Sequence, residues 1–266
     1  MSKRIAAIIS KKISKNPNII HGFFTRVGGE SRGIYSSLNC SLYSKDHLLH
    51  VKNNRKSAIE FFSLQTDMLL TPNQAHGKKV LILKKKWKKN LDPRVDAIVT
   101  KKSGLILGIL TADCAPVILC DEKTEVIGIA HAGWKGVFLG VLESTVDRME
   151  NIGARRSNIK AVIGPCISKR FYEVSSDLFQ KFIKKDVANK VFFTASKKPA
   201  RYMFDLAGCI CGILKKLNIG NVENLDLDTF SNPKRFFSYR RSEKKRENDF
   251  GRNLSIVALK NTQHCR

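Results

Sequence analysis

Three short apolar runs crowded into one stretch, LILGIL (105–110), PVILC (116–120) and VIGIAH (126–131), constrain this chain more than any other feature. Each is rich in Ile, Leu and Val and is bounded by turn-prone residues, so each reads as a buried strand. A hairpin closed by Asp121-Glu122-Lys123-Thr124, with Glu122 and Lys123 as its two loop residues, would set Cys114 opposite His131. Directly paired residues hold their Cβ atoms about 4.5 to 5.5 Å apart, near enough to share a proton or a metal ion. Pro116 limits regular pairing there, because it brings no N–H to the ladder. After His131 the chain passes through Ala-Gly-Trp-Lys-Gly into VFLGVLESTVDRME (137–150), whose apolar spacing predicts an amphipathic helix. A strand that ends in glycines and feeds a helix leaves backbone donors facing a cavity, a good seat for an anion.

One compact α/β unit is the expectation for 266 residues with 42% hydrophobic content. No apolar run approaches the roughly 18 residues of a membrane span, and IAAII near the start is too short for a signal-peptide core. A soluble, unprocessed, cytoplasmic protein is expected. The seven cysteines (Cys40, Cys114, Cys120, Cys166, Cys209, Cys211 and Cys265) are odd in number and lack paired CxxC spacings, which fits a reducing compartment. The formal net charge is +25, and Lys84-Lys85-Lys86-Trp87-Lys88-Lys89 places an aromatic inside a basic run, a combination suited to phosphate backbones and bases. The lysines are nevertheless scattered along the whole chain, with no basic arm and no nucleic-acid motif. A solvated basic surface is the better reading, and nucleic acid is not the expected partner.

Ahead of the central stretch, Ile20 to Thr25 reads as a strand that runs through Gly28, Gly29 and Gly33 into a loop, with Arg26 where strand becomes loop. Residues 47–64 read as a helix with Val51, Ala58, Ile59 and Phe62 on its buried face and His47 and His50 at the surface. Pro72 and Asn73 mark a turn, so Gln74 and His76 fall just before a strand at Val80 to Leu83. A lone histidine there is ordinarily structural or exposed; it gains meaning only if the fold carries it to Cys114 and His131. Asp96 to Thr100 then leads into the central stretch. Beyond it, 160–167 reads as a strand ending in Gly164-Pro165-Cys166, and 175–185 and 205–217 as helices, the second opened by Asp205 as N-cap. FFSYRR, the polar insertion SEKKREND and a final strand in FGRNLSIVAL close the chain, with Arg240, Arg241 and Arg252 as a cationic cluster. There is no internal repeat and no low-complexity linker.

Two histidines and one cysteine make a soft donor set suited to zinc, which in catalytic sites commonly takes three protein ligands. Copper is the alternative ion, since spacing alone does not separate the two.

The segments HGFFTRVGG, SSLNC, NNR, NQAHG, VDAIVT, TADCAPVILCD, AHAGWKG, IGPCI, FDL, SYRR and GRNLSIVAL, in this order from about residue 20 to 259, resemble the YfiH family. These proteins are also called laccase-domain or polyphenol-oxidase-like proteins and are regarded as purine nucleoside phosphorylases. The resemblance implies a single α+β domain with α/β/β/α layering and mixed sheets over residues 19–266, preceded by an N-terminal extension, 1–18. It implies zinc on His76, Cys114 and His131, and phosphorolysis of adenosine, inosine and methylthioadenosine with adenosine deamination as a further activity. Asp113 is the candidate proton carrier; Arg26, Asn39, Gln74, Trp134 and Arg240 are candidate substrate contacts, Arg26 and Arg240 for phosphate because a guanidinium offers bidentate donors. Phe24, Trp134 and Tyr239 are candidates for stacking on the purine. Asp228 stands where the family pattern has a cysteine, and the 242–249 loop is longer and more charged than usual. A monomer or weak homodimer is expected.

Two other enzymes are compatible with the same residues. Cys114 as nucleophile with His131 as base would make a metal-free hydrolase or deamidase. Copper-dependent phenol oxidation is the other, although six histidines with no HxH pair do not supply a trinuclear copper centre.

Overall fold

The apolar runs form strands whose alternate residues face two different cores. In the strand built from APVILCD, Val117 and Leu119 join one buried cluster, while Ile118 and Cys120 join another on the opposite face. This period of two is the direct consequence of strand geometry. The computed structural model describes residues 4–13, 15–87 and 92–260.

In chain order the elements are β1 (Ala7–Ile8), β2 (Ile19–Phe24), α1 (Leu48–Glu60), β3 (Leu69–Leu70) and β4 (Val80–Ile82). The central stretch gives β5 (Ala97–Thr100), β6 (Ile106–Thr111), β7 (Ala115–Asp121), β8 (Val126–Ala132), α2 (Trp134–Leu139) and α3 (Val141–Glu150). Then come β9 (Ile159–Ile163), β10 (Glu173–Ser175), α4 (Ser176–Lys185), β11 (Phe193–Ala195), β12 (Arg201–Phe204) and α5 (Leu206–Lys216). The last elements are β13 (Asn221–Asn224), α6 (Tyr239–Lys244) and β14 (Asn253–Leu259).

A five-stranded sheet, β1-β2-β14-β6-β3, packs on a six-stranded sheet, β13-β9-β7-β8-β5-β4, and a small sheet, β10-β12-β11, lies beside them. Both large sheets are mixed, with parallel pairs β3/β6, β4/β5 and β9/β13. Ile98, Ile118, Ile127, Ile129 and Val162 meet Phe23, Leu107, Ile109 and Val257 between the sheets. Outside the five-stranded sheet, Leu254, Ile256 and Ala258 pack on Ala58 and Ile59 of α1. Outside the other, Val99, Val117, Leu119 and Ala130 pack on Val141, Val146 and Met149 of α3 and on Ile210 and Leu214 of α5. The layering is α/β/β/α, as the family resemblance implied. Each fully buried Leu, Ile or Val contributes about 1.5–3 kcal/mol.

Several expectations are corrected in detail. The β7–β8 hairpin pairs Asp121 with Val126 and Pro116 with His131, so its loop is Glu122 to Glu125, two residues longer than predicted. Asp121 Oδ1 accepts from the backbone N–H of Lys123 (3.0 Å) and Thr124 (3.3 Å), and Glu125 takes φ 54°; this side-chain-anchored turn needs the extra residues. Cys114 therefore precedes β7 and is not the cross-strand partner of His131. The helix expected over 137–150 begins at Trp134 and breaks at Gly140, which at φ 96° ends α2 and opens α3. Residues in the stretch read as an extension are built into the fold: β1 pairs with β2, and Ile13 is fully buried. The start of the polar insertion is helical, because Ser238 caps α6 by accepting from Arg241 N–H. In the basic run Trp87 packs against the inter-sheet core and Lys86 pairs with Asp67, which turns the aromatic away from the role of a base-stacking platform. Lys88, Lys89 and Cys265 lie outside the described residues. Among the described residues no helix is long and apolar enough to cross a membrane.

Candidate metal centre

Antiparallel pairing of β8 with both β5 and β7 brings three strand ends to one edge of the six-stranded sheet. His131 sits near the end of β8, Cys114 just before β7 and Asp96 just before β5. His76 comes in on the loop before β4, which runs parallel to β5. The ligand atoms of His76, Cys114 and His131 all lie within 4.8 Å of one another, and the two imidazoles meet edge-on with centroids 4.7 Å apart. The histidine that the sequence leaves isolated is thus carried to the other two.

Asp96 organises the cluster, and sequence reasoning missed it. Its Oδ1 lies 2.9 Å from His131 Nδ1 and accepts from His76 N–H at 2.8 Å; Oδ2 accepts from the N–H groups of Gly77 (2.6 Å) and Ala75 (3.2 Å). One carboxylate thereby shapes the His76 loop, whose histidine adopts φ 55°, and also orients His131. Burial works to raise the Asp96 pKa, but the His131 bond and the backbone donors hold it below the ordinary carboxylate range. An imidazole that donates Nδ1–H to a carboxylate presents the Nε2 lone pair to the site, the arrangement in which metal-binding histidines are commonly held. The signal available in the sequence was a lone carboxylate directly ahead of the wholly buried run AIVT.

Burial pushes the Cys114 thiol up, but the neighbouring His131 and His76 pull it further down, to about 6. Burial lowers His131, and the Cys114 sulfur and Asp96 outweigh it, raising the imidazole to about 9. The pair therefore carries thiolate character near neutrality, the form a soft metal takes. Gly133 completes the cradle: a Cβ there would lie 2.7 Å from Cys114 Sγ and 3.3 Å from His76 Cδ2. The donor types, their mutual distances within 4.8 Å and the space left by Gly133 all fit a single zinc or copper ion.

The cluster is at the wall of a cavity of about 450 Å³ lined also by Ser41, Tyr43, Trp134, Tyr172, Arg240 and Arg252. Gln74 lines it too, its amide bonded to the backbone of Leu110, accepting at 2.9 Å and donating at 2.8 Å. Asp113, at φ 85°, accepts from Thr229 Oγ1 (2.6 Å), Ser238 Oγ (2.9 Å) and Arg240 N–H (2.6 Å), so it ties the turn before Cys114 to the SYRR segment. Burial raises its pKa against the pull of these donors.

Arg26 does not line this cavity. Its guanidinium donates to the carbonyls of Ser36, Pro233 and Ile34 and stacks 4.2 Å over Phe237. Asn39 is fully buried and accepts from the N–H groups of Ser41 and Arg252. Arg241 donates to the carbonyls of Thr229, Phe230 and Phe236. Phe24 belongs to the core beside Phe61 and Phe62, whereas Tyr239 lines the cavity against Phe250. Cys166 is a buried core thiol outside the metal cluster, its pKa raised by burial. Asp228 caps the following turn, accepting from the N–H groups of Ser168, Phe230 and Ser231. Of the other described histidines, His21 is buried in the fold and His47 and His50 form a surface pair.

A family model described as multi-copper polyphenol oxidoreductase laccase matches residues 20–260. A Rickettsia conorii protein named purine nucleoside phosphorylase is 33% identical, the match covering 92% of this chain and 98% of its own length. An Escherichia coli protein named purine nucleoside phosphorylase YfiH is 32% identical over 82% of this chain and 87% of its own. The crystal structure of Bacillus licheniformis YfiH, a hypothetical protein by its description, superimposes with a TM-score of 0.83 at 30% identity, covering 92% of this chain and 94% of the other. Sequence match and fold agree over nearly the full length, and the chain belongs to the laccase-like YfiH family.

Proposed function

We propose that this protein is a zinc-dependent purine nucleoside phosphorylase acting on adenosine, inosine and methylthioadenosine. The observation that carries the reading is the His76, Cys114 and His131 cluster in a cavity that also holds aromatic and guanidinium groups, in a chain whose curated relatives bear that name. His76, Cys114 and His131 would hold the ion, which when bound supplies Lewis acidity at the cavity wall. In phosphorolysis a phosphate oxygen bonds to C1′ as the C1′–N9 bond breaks; the bonding pair leaves with the purine, which takes up a proton. The chain must seat an anion and the nucleoside in line and exclude water. Trp134, Tyr172 and Tyr239 supply apolar faces for the base, and the arginines supply positive charge for the anion.

Adenosine deamination is kept as a lesser activity. Deaminases of the zinc class use a glutamate to move protons. Among the described residues the lining holds no glutamate, and the carboxylate of Asp113 is already bonded to three donors. Copper in place of zinc, with phenol oxidation, is the reading suggested by the family description. Among the described residues the donors form one three-ligand cluster, so any such oxidase would work from a single centre.

A second reading rests on the closeness of Cys114 and His131, whose ligand atoms lie within 4.8 Å of each other, with the imidazoles holding the thiol below its ordinary pKa, an arrangement that suits a nucleophile with His131 as base. The test is metal content by mass spectrometry on protein purified without added metal, paired with an inosine-plus-phosphate assay for hypoxanthine and ribose 1-phosphate. Near-stoichiometric zinc and phosphate-dependent hypoxanthine release are expected. Metal-free protein that makes no hypoxanthine and is alkylated rapidly at Cys114 would replace this reading with the hydrolase.

A further inference from the structure

We infer that Arg252, and not Arg26, provides the anion seat of the cavity, and that the ligand it is shaped for is inorganic phosphate or a phosphate monoester. This rests on the phosphorylase reading for the choice of phosphate, though not for the presence of an anion subsite. Arg240 and Arg252 are the two cationic side chains in the cavity lining among the described residues. They differ in their charge partners. Arg240 donates through Nη1 to the Glu173 carbonyl at 2.9 Å and is ion-paired with Glu243, a carboxylate oxygen lying 3.3 Å from its Nε, although that buried Nε makes no hydrogen bond among the described residues. Among the described residues the Arg252 guanidinium donates only through Nη1, to Ser41 Oγ at 3.1 Å. The Nε and Nη2 edge of Arg252 therefore meets no acceptor among the described residues. These two N–H groups are parallel donors, the fork that matches two oxygens of one phosphate.

The side chain is also held in place before any ligand arrives. Asn39 Oδ1 accepts from the backbone N–H groups of Arg252 at 3.0 Å and Ser41 at 3.2 Å, so one buried amide fixes the main chain from which the guanidinium and the hydroxyl it donates to both extend. Phe250 lies under the guanidinium plane at 4.3 Å. Burial lowers the Arg252 pKa, with Asp249 acting the other way, as expected for a cation drawn partly out of water. Asp249 does not compete for the free edge: it accepts from Tyr35 Oη and Lys45 N–H and is not part of the cavity lining. Among the described residues of the lining the one carboxylate, Asp113, is taken up by its own three donors. The cavity thus presents a held, partly desolvated guanidinium edge with no free carboxylate in the lining among the described residues. Asn39, a substrate contact by expectation, acts here by positioning Arg252.

The experiment is calorimetric titration of the purified full chain with inorganic phosphate, for the wild type, Arg252→Gln and Arg252→Lys, alongside phosphorolysis kinetics with inosine. Lys181→Gln, at an exposed position of α4, controls for the loss of one positive charge. Loss of a bidentate charged pair should weaken phosphate binding by about ten- to a hundredfold in Arg252→Gln. Arg252→Lys, which keeps charge and loses the fork, should fall between it and the wild type. The KM for phosphate should rise in step, while KM for inosine and zinc content stay within about twofold. Phosphate affinity unchanged in Arg252→Gln, a fall no larger than that in Lys181→Gln, or a wild type that does not bind phosphate would each overturn the assignment. A wild type that binds phosphate through Arg252 yet releases no hypoxanthine would uphold the subsite and reject the phosphorylase reading. Arg252→Lys keeps the test decisive should the glutamine variant not fold.

Discussion

Asp96→Asn is the perturbation that most directly examines how the centre is built. The carboxylate takes four hydrogen bonds, two on each oxygen: from His131 Nδ1 and His76 N–H on Oδ1, and from Gly77 and Ala75 N–H on Oδ2. An asparagine offers one oxygen and an NH2 group, so whichever way it turns, two donors face a donor. Each buried N–H left without an acceptor costs about 1–3 kcal/mol, giving a loss of about 2–6 kcal/mol in stability. The metal should suffer as well, because the residue that fixes the His131 tautomer is gone; loss of such an orienting partner typically costs about 10- to 100-fold in affinity. Urea unfolding with and without chelator gives the first quantity, and competition with a zinc indicator gives the second. A variant with stability within about 0.5 kcal/mol of the wild type and zinc affinity within twofold would refute the reasoning, since the four bonds could not then be holding the site together.

Three further outcomes are expected. Gly133→Ala places a Cβ 2.7 Å from Cys114 Sγ, so zinc affinity should drop at least tenfold in the same competition assay, with far-ultraviolet circular dichroism preserved. His21 is buried, accepts from Ser10 N–H and has its pKa lowered from 6.5 to about 4 by burial, with Ser10 and Glu223 opposing. Because the unfolded chain binds the proton that the native imidazole refuses, its stabilising effect is complete above pH 6.5 and is lost as pH falls toward 4, about 3 kcal/mol in all. His21→Gln should flatten the stability curve between those pH values, measured by denaturation at fixed urea increments. Arg26→Gln removes donors to the carbonyls of Ser36, Pro233 and Ile34, which predicts a loss of about 2–4 kcal/mol in stability while the phosphate KM of the folded fraction stays within twofold of the wild type.

The strands of the central stretch, those at 20–25 and 160–163, the final strand and the N-cap of α5 were legible because they follow from local rules. The apolar run 116–120 is a buried strand as read, and Asp205 accepts from Gly208 N–H as an N-cap should. Hairpin register was less accessible: the Asp121 side chain anchors a four-residue loop where a two-residue turn was read, and a slip of that size moves Cys114 off His131 without changing either strand. The break at Gly140 escaped for a related reason, since apolar spacing continues across it while one positive φ ends the helix.

By itself the sequence determined the donor set, two imidazoles and a thiol, and the family to which the motif order belongs. Tertiary structure alone decided that Asp96 would bind His131 and the His76 loop together, that Arg26 would turn its guanidinium onto backbone carbonyls, and that Arg252 would keep a donor edge open to the cavity. The physical reason is that a side chain's chemistry is local, whereas its hydrogen-bond partners are set by which strand ends meet. Asp96 and His131 are 35 residues apart in the chain and 2.9 Å apart in the fold, and no periodicity records that distance.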